Sequence, residues 1–219
     1  MSSEIGPADR RELARQVEPR PPGAPRTERR VARVRHVLAR RQPDLTVVLE
    51  NVHDPHNVSA VLRSCDATGV LAAHAIYTVE EPPPGMFART TSASAAKWVE
   101  VTRHASVADC YATLRREGFT VLATALASDS TDLYDLDLTQ PTALVFGNEM
   151  RGVSAEARDG ADGTVAIPMM GMVESLNISV ACAVSLYEAL RQRRRAGRYA
   201  ASPFGPDALA SLEESWLRR

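Results

Sequence analysis

Long apolar runs and cysteine pairs are both missing from this chain of 219 residues. No apolar stretch reaches the roughly 20 residues needed to cross a bilayer, and the N-terminus lacks the apolar segment of a secretion signal. The three cysteines, Cys65, Cys110 and Cys182, are far apart and form no CxxC pair. We therefore expect a cytoplasmic protein without a membrane span, with reduced, mostly buried thiols and no structural zinc site.

Signatures of common nucleotide and metal sites are missing as well. The sequence contains no GxGxxG, and residues 147–152 have the GxxxxG spacing of a phosphate loop but are followed by Val153 and Ser154. A phosphate loop would continue with Lys and then Ser or Thr, so this interpretation fails. His53 and His56 lie in a predicted turn without a third ligand nearby. We therefore expect no metal in this protein.

Lysine is nearly missing, since Lys97 stands against 25 arginines, and the charges are unevenly distributed. Residues 1–41 carry eleven arginines against five acidic residues, and residues 188–219 carry seven against four. The segment between them is strongly acidic. Basic ends suggest contact with a polyanion. Arginine favours bidentate phosphate contacts, although a compositional bias would produce the same excess.

The N-terminal part divides into two predicted segments. Prolines and few apolar residues predict a disordered basic arm over residues 1–26. Thr27 is the predicted N-cap of a basic helix that extends to about Arg41, in which Val34 and Leu38 share an apolar face. The remaining arginines of this helix are equally consistent with a solvated surface and with RNA contact.

Short apolar runs then alternate with amphipathic helices, which indicates an α/β fold with a mostly parallel sheet and helices on both faces. The predicted strands are 45–50, 74–79, 119–125, 142–146 and 164–168. The predicted helices are 57–68, 107–117, 154–160, 176–195 and 207–218. The last of these carries an apolar face that must pack against something, and another subunit is one candidate.

Three segments become polar where a predicted strand ends and a helix begins. They are NVSAVLRSCDA (57–67), LVFGNEMRGVS (144–154) and IPMMGMVESLNIS (167–179). Ligands of open parallel sheets bind at the carboxyl ends of the strands, and free amides at a helix start suit a polar ligand. Helix capping would explain each segment alone, but their joint occurrence favours a functional site.

In this order and spacing the three segments resemble the motifs of the SpoU/TrmH family of AdoMet-dependent RNA ribose 2′-O-methyltransferases, in the SPOUT superfamily. Residues 40–70, RRQPDLTVVLENVHDPHNVSAVLRSCDATGV, are most similar to the tRNA-specific TrmH branch, which methylates the D-loop guanosine at position 18. The most specific signature is IPMMGMVESLNISVACA (167–183). The similarity extends from about residue 29 to residue 198.

The resemblance implies a methyltransferase domain over 43–198 with a deep trefoil knot at about 142–195, which is a rare exception among folds. It also implies a tRNA-contacting helix at 27–42, a C-terminal helical extension at 199–219, and a homodimer in which both subunits complete each site. No metal cofactor is required, and no membrane is involved.

The resemblance further assigns roles to individual residues. The implied catalytic residues are Asn57, Arg63, Glu149, Ser175 and Asn177. The implied AdoMet-binding residues are Leu122, Thr124, Gly147, Ile167, Leu176 and Asn177, mainly through their backbone groups. The implied RNA-binding residues are Arg30, Arg33, Arg41, Arg191 and Arg193.

The implied reaction is attack of a ribose 2′-hydroxyl on the methyl group of AdoMet, which releases S-adenosylhomocysteine. The family proposal of Arg63 as general base conflicts with arginine chemistry, because holding an arginine neutral near pH 7 costs about 7 kcal/mol. We instead expect a cationic Arg63 to bind an RNA phosphate, orient the hydroxyl and stabilise the developing oxyanion.

Three alternatives stay open on sequence grounds. The chain could methylate ribosomal RNA, as self-protecting antibiotic producers do, although the short N-terminal helix favours tRNA. It could be a catalytically silent RNA-binding dimer that kept the knot, although the intact polar motifs argue against this. A nucleotide-binding regulator without RNA is the weakest option, because both ends are basic.

Overall fold

A seven-stranded sheet forms the centre of the protein in the computed structural model, which describes residues 27–79, 81–82 and 95–219. The predicted disordered arm, residues 1–26, lies outside the described residues. The strands are β1 (Leu45–Glu50), β2 (Ala72–Ile76), β3 (Glu100–His104), β4 (Thr120–Thr124), β5 (Thr131–Asp132), β6 (Thr142–Phe146) and β7 (Gly163–Ala166). Their order is β3-β2-β1-β6-β4-β7-β5, and neighbouring strands pair in parallel throughout. The predicted parallel α/β class is confirmed.

Helices cover both faces of this sheet. They are α1 (Glu28–Leu38), α2 (Pro55–Thr68), α3 (Val107–Arg116), α4 (Ala155–Asp159), α5 (Ile178–Arg195) and α6 (Pro206–Arg218), with short 3-10 turns at Ala95–Lys97 and Leu133–Asp135. Within the described ranges no helix is long and apolar enough to cross a membrane. The predicted knot over about 142–195 stays a prediction.

Two apolar cores follow from the alternation of side chains along the strands. On one face Val47, Leu49 and Phe146 pack with α2 and α5. On the other face Val48 and Val145 pack with α3 and α4. All six residues of β1 are buried, as expected for a central parallel strand covered on both sides.

The terminal helices α1 and α6 pack against each other and form a third core around Val34, Leu38 and Trp216. Arg35 Nε lies 2.9 Å from a Glu213 carboxylate oxygen and links the two helices at their exposed edge. The apolar face of the C-terminal helix is therefore covered within the same chain. Another subunit is not needed to bury it.

Helix α2 begins two residues earlier than the sequence predicts, and this shift matters for the site. Asp54 is its N-cap and accepts a hydrogen bond from the His56 amide at 2.8 Å, with Pro55 in the first turn. Asn57 is therefore the third residue of the helix and is not needed as a cap. Its side chain is available for other contacts.

Candidate functional site

One chain of hydrogen bonds joins the three polar segments at the carboxyl side of the sheet. Asn57 Nδ2 donates to Glu149 Oε1 at 2.9 Å, and Asn177 Nδ2 donates to Asn57 Oδ1 at 3.1 Å. Asn57 is buried, whereas Glu149 and Asn177 are exposed. The prediction that these three residues lie together is confirmed.

Asn177 reaches this cluster because it is the N-cap of α5. Its Oδ1 accepts from the Ser179 amide at 2.9 Å, which satisfies a free donor of the first helical turn. Its Nδ2 then points away from the helix and meets Asn57. One side chain therefore fixes the start of α5 and also connects α5 to α2.

The loop after β6 carries Glu149 and is held in one tight conformation. Asn148 and Gly152 exchange two backbone hydrogen bonds of 3.0 and 2.8 Å. A Cβ atom on Gly147 would lie 2.1 Å from the carbonyl of Gly152, so this position needs glycine. Asn148 Nδ2 also donates to the Asn51 carbonyl at 2.8 Å. The loop is thereby fastened to the end of β1.

Sequence reasoning missed the positioning contacts of Asn51 and Asn148. Asn51 has a left-handed backbone, with φ of 51°, and its Oδ1 accepts from the Thr78 amide at 2.9 Å. Asparagine tolerates this conformation better than most residues. Asparagines within two residues of the ends of β1 and β6 were therefore a sequence signal for loops with a defined conformation.

The predicted cofactor residues lie at neighbouring strand ends. In the register, Thr124 of β4 pairs with Val165 of β7, and Ala123 pairs with Val145 of β6. Gly147 directly follows β6 and Ile167 directly follows β7. The topology thus brings these backbone segments to one edge of the sheet, although their contact with a cofactor stays a prediction.

Two other side chains predicted near the cofactor have structural contacts of their own. Leu122 packs against the α2–α5 core, and the Thr124 hydroxyl donates to the Val145 carbonyl at 2.8 Å. The resemblance implied cofactor contacts through the backbone and not through these two side chains. Leu176 directly precedes the α5 cap and is partly exposed.

The segment between β7 and α5 is unusually exposed for its composition. Met170 and Met172 are 94% and 99% exposed, and Val173 is 63% exposed. Ser175 is exposed and, within the described part of the chain, its hydroxyl makes no hydrogen bond. Apolar side chains beside a polar cluster are a surface that a ligand or a second chain would cover.

Arg63 does not join the cluster within one chain. It lies six residues after Asn57 on α2, which places it about 9 Å further along the axis and about 120° around the helix. Its side chain is exposed and forms no ion pair with any described residue. The predicted contribution of both subunits to each site stays a prediction.

The prediction that Arg41 binds RNA is wrong. Its side chain is completely buried, with Nη1 donating to the Val70 carbonyl at 2.9 Å and Nη2 paired with Asp66. The guanidinium carbon also lies 4.8 Å from the ring centroid of Trp216. Burial lowers the pKa of this guanidinium, while the Asp66 charge opposes that shift. Arg41 therefore joins α1 to α2 and α6.

The prediction that Arg193 binds RNA is also wrong, because its side chain is completely buried. Its Nε donates to the Leu138 carbonyl and Nη2 to the Gln140 carbonyl, both at 2.8 Å, and Nη1 lies 2.5 Å from Asp44. All its donors face acceptors inside the protein. An RNA phosphate cannot reach it.

The other predicted RNA-binding arginines are accessible to different degrees. Arg33 is exposed and Arg30 is partly buried on α1. Arg191 is exposed but its Nε and Nη2 contact the buried Glu188 carboxylate at 2.8 and 2.6 Å. Arg194 and Arg195, which were not predicted, are exposed beside it.

The fold and the cluster define an α/β protein with a polar site at the carboxyl ends of parallel strands. The chain belongs to the SpoU rRNA Methylase family, whose model matches residues 44–187. It is 50% identical over 194 residues to the tRNA (guanosine(18)-2′-O)-methyltransferase of Thermus thermophilus, covering 89% of this chain and 98% of that protein. The enzyme of the same name from Escherichia coli is 47% identical over 173 residues, which cover 78% of this chain and 73% of that protein.

Solved structures show the same relationship. The TrmH/SpoU tRNA modifying enzyme of Aquifex aeolicus superposes with a TM-score of 0.76 at 36% identity, covering 86% of this chain and 95% of that one. The SpoU methyltransferase AviRb of Streptomyces viridochromogenes, solved in complex with AdoMet, superposes with a TM-score of 0.60 at 31% identity. The superposition covers 70% of this chain and 59% of that one.

Proposed function

We propose that this protein transfers a methyl group from AdoMet to the ribose 2′-hydroxyl of guanosine 18 in tRNA and releases S-adenosylhomocysteine. The observation that carries the proposal is the hydrogen-bonded chain Asn177–Asn57–Glu149, which unites all three motifs at one strand edge. Relatives named for this activity match nearly the whole chain.

The residues at this edge fit a sulfonium donor. Gly147 closes the tight loop after β6 against Gly152, and this loop lies beside the adjacent ends of β4 and β7, whose backbone groups would meet the ligand. The Glu149 carboxylate is exposed at the cluster and offers a negative charge beside two neutral amides. When bound, AdoMet supplies a methyl group activated by its positive sulfur, and no metal is needed for that chemistry.

The protein's own part of the reaction is positioning and handling one proton. Asn57 and Asn177 fix the relative placement of α2 and α5, and Glu149 is held by Asn57. We assign to Arg63 the binding of the phosphate next to the target ribose, because an arginine fork matches a phosphate bidentately. The hydroxyl proton then passes to that phosphate.

For tRNA binding we propose exposed arginines at both ends of the domain. Arg29 and Arg33 lie on the exposed side of α1 and Arg40 lies just after it, while Arg194 and Arg195 lie at the end of α5. Helix α6 holds α1 in place through their shared apolar core and an ion pair. The basic surface is thus presented by a packed scaffold.

We further propose a homodimer. Val180 and Tyr187 are 46% and 53% exposed and lie seven residues apart on α5, hence on one side of the helix. Met170, Met172 and Val173 extend this apolar surface toward the site. A second chain seated there would cover the patch and could bring its Arg63 to the first chain's Asn57.

The test is methyl transfer by the purified full chain to a tRNA transcript, followed by nuclease digestion and mass spectrometry. A matched transcript with 2′-deoxyguanosine at position 18 lacks the accepting hydroxyl and serves as the control. We expect one 2′-O-methylguanosine in the first transcript and none in the second. Methylation at another position, or of 23S rRNA fragments alone, would refute the proposed target.

A further inference from the structure

A second cluster of chemically active side chains lies away from the site described above. His74 of β2, His104 at the end of β3 and Cys110 of α3 are all buried, and their ligand atoms lie within 4.8 Å of one another. Ile76 packs on the α3 side of the sheet and Ala73 packs in the α2–α5 core, so the alternation along β2 places His74 on the α3 side with Ile76. The cluster is therefore on the opposite face from Asn57.

The hydrogen bonds in this cluster fix the orientation of both rings. His104 Nδ1 lies 3.0 Å from an Asp109 carboxylate oxygen, and His104 Nε2 lies 2.9 Å from His74 Nδ1. Because a carboxylate can only accept, His104 carries its proton on Nδ1 and offers the lone pair of Nε2. Histidines that bind metals are typically held by a carboxylate in this way.

We propose that His74 Nδ1, His104 Nε2 and the Cys110 thiolate bind one zinc ion, with Asp109 orienting His104 and a water completing the tetrahedron. In tetrahedral zinc sites with nitrogen and sulfur ligands, neighbouring ligand atoms are about 3.3 to 3.6 Å apart. The 2.9 Å contact between the two imidazoles would therefore open by about half an ångström. The ion takes the place of the proton that the two rings share.

The protonation chemistry of the surroundings suits a metal. Burial, together with the neighbouring His104, lowers the pKa of His74 to about 4, so this imidazole is neutral at pH 7. Burial raises the pKa of the Cys110 thiol to about 12, so without metal the sulfur keeps its proton, which zinc would release. Zinc, one thiolate and the Asp109 carboxylate together are electrically neutral, which favours burial.

The three ligands are spread over residues 74–110, without the short ligand pair of a zinc finger, so sequence spacing predicted no such site. The fold creates the cluster by pairing β2 with β3 and packing α3 on them. A zinc ion here would fasten the edge strand β3 to its neighbours. Because the cluster lies on the sheet face opposite Asn57, the proposed zinc takes no part in methyl transfer.

The test uses the full chain, freed of metal with a chelator and titrated with Co²⁺ as a spectroscopic probe and then with Zn²⁺. We expect one cobalt ion to bind per chain and to show the near-ultraviolet charge-transfer band of a thiolate ligand. One equivalent of zinc should displace the cobalt and raise the melting temperature of the protein. Cys110→Ala should lose the band. Asp109→Asn should weaken zinc binding about 10- to 100-fold.

The matched control is His36→Ala, which removes an exposed histidine of α1 and should leave binding unchanged. A folded wild-type chain that binds cobalt without a thiolate band, or binds no zinc, overturns the proposal. An unchanged band in Cys110→Ala would do the same. If Cys110→Ala does not fold, the wild-type spectrum and the Asp109→Asn affinity still decide. Methyl transfer is not part of the readout, so the outcome is independent of the proposed function.

Discussion

The side-chain amide of Asn177 donates to Asn57 Oδ1 at 3.1 Å, although 120 residues separate them in the chain. Asn57 Nδ2 in turn donates to Glu149 Oε1. The Asn57 amide therefore has one defined orientation, with its oxygen toward Asn177 and its nitrogen toward the carboxylate. An amide that connects two neighbours in this way cannot be replaced by a carboxylate without consequence.

We predict that Asn57→Asp lowers both stability and the single-turnover rate of methyl transfer. The change places two carboxylates at the 2.9 Å distance of the present hydrogen bond and removes its donor, which costs about 1 to 3 kcal/mol. The double variant Asn57→Asp with Glu149→Gln restores a donor and an acceptor in swapped positions. We expect it to recover most of the lost free energy of unfolding, measured by urea denaturation.

Glu156→Gln, an exposed change on α4, is the matched control for the removal of one carboxylate. If the effects of Asn57→Asp and Glu149→Gln simply add, the two side chains do not interact as the structure shows. Recovery of stability without recovery of rate would assign Glu149 a direct role at the bound substrate.

The separation of Arg63 from Asn57 predicts complementation between subunits. Chains with Arg63→Ala or with Asn57→Asp should each form nearly inactive homodimers, because every site lacks one residue. Heterodimers, purified through two different tags after co-expression, should contain one site with both residues intact and be far more active than either parent. Heterodimers as inactive as the parents would place both residues in the same subunit's site.

Much of the fold was accessible from sequence because its central strands are continuous apolar runs. Both β1 and β6 were predicted with their observed bounds, since strands buried on both faces need no alternation. The edge strand β3 was missed because its sequence, EVTRH, is largely polar and exposed. Edge pairing depends on the neighbouring strand, which local sequence does not reveal.

The sequence predicted which loops form the site, but it did not predict which arginines are exposed. Asn57, Glu149 and Asn177 were grouped through strand-end motifs, and the topology brings them together. Arg41 and Arg193 were assigned to RNA through the family resemblance, and arginine is rarely fully buried, so nothing in the sequence indicated their burial. Their partners come from other elements, so only the tertiary structure reveals them.

Replacing the buried Arg193 and its exposed neighbour Arg194 by alanine therefore separates a stability effect from an effect on tRNA binding. Arg193→Ala should destabilise the fold by about 3 kcal/mol, because it leaves the Leu138 and Gln140 carbonyls without their donor and removes one of the two arginines that pair with Asp44. Arg194→Ala, at an exposed position, should leave the free energy of unfolding unchanged but weaken tRNA binding. Denaturant titration and filter binding at several salt concentrations measure the two effects.

If tRNA binding involves six phosphates, log affinity against log salt should have a slope of about −4 to −5, and Arg194→Ala should reduce its size by about 1. A salt-independent affinity would contradict the role proposed for the exposed arginines. A stable Arg193→Ala protein with weakened tRNA binding would instead reinstate Arg193 as an RNA contact.

Glu188 predicts an acid-sensitive contribution to stability. The hydrogen bond from Arg191, assisted by Gln192, lowers the pKa of this carboxyl below its ordinary value, while its burial opposes the shift. A carboxyl with a lowered pKa in the folded state stabilises the protein above the unfolded-state pKa of about 4.3, and this contribution is lost as pH falls through the folded value. Glu188→Gln should therefore lower the free energy of unfolding at pH 7 and reduce the loss of stability as pH falls below the unfolded-state pKa. The same variant releases the Arg191 guanidinium from its partner, so tRNA binding at low salt should strengthen if Arg191 contacts RNA. Unfolding curves that keep the wild-type pH dependence in Glu188→Gln would show that the buried carboxylate is not the titrating group.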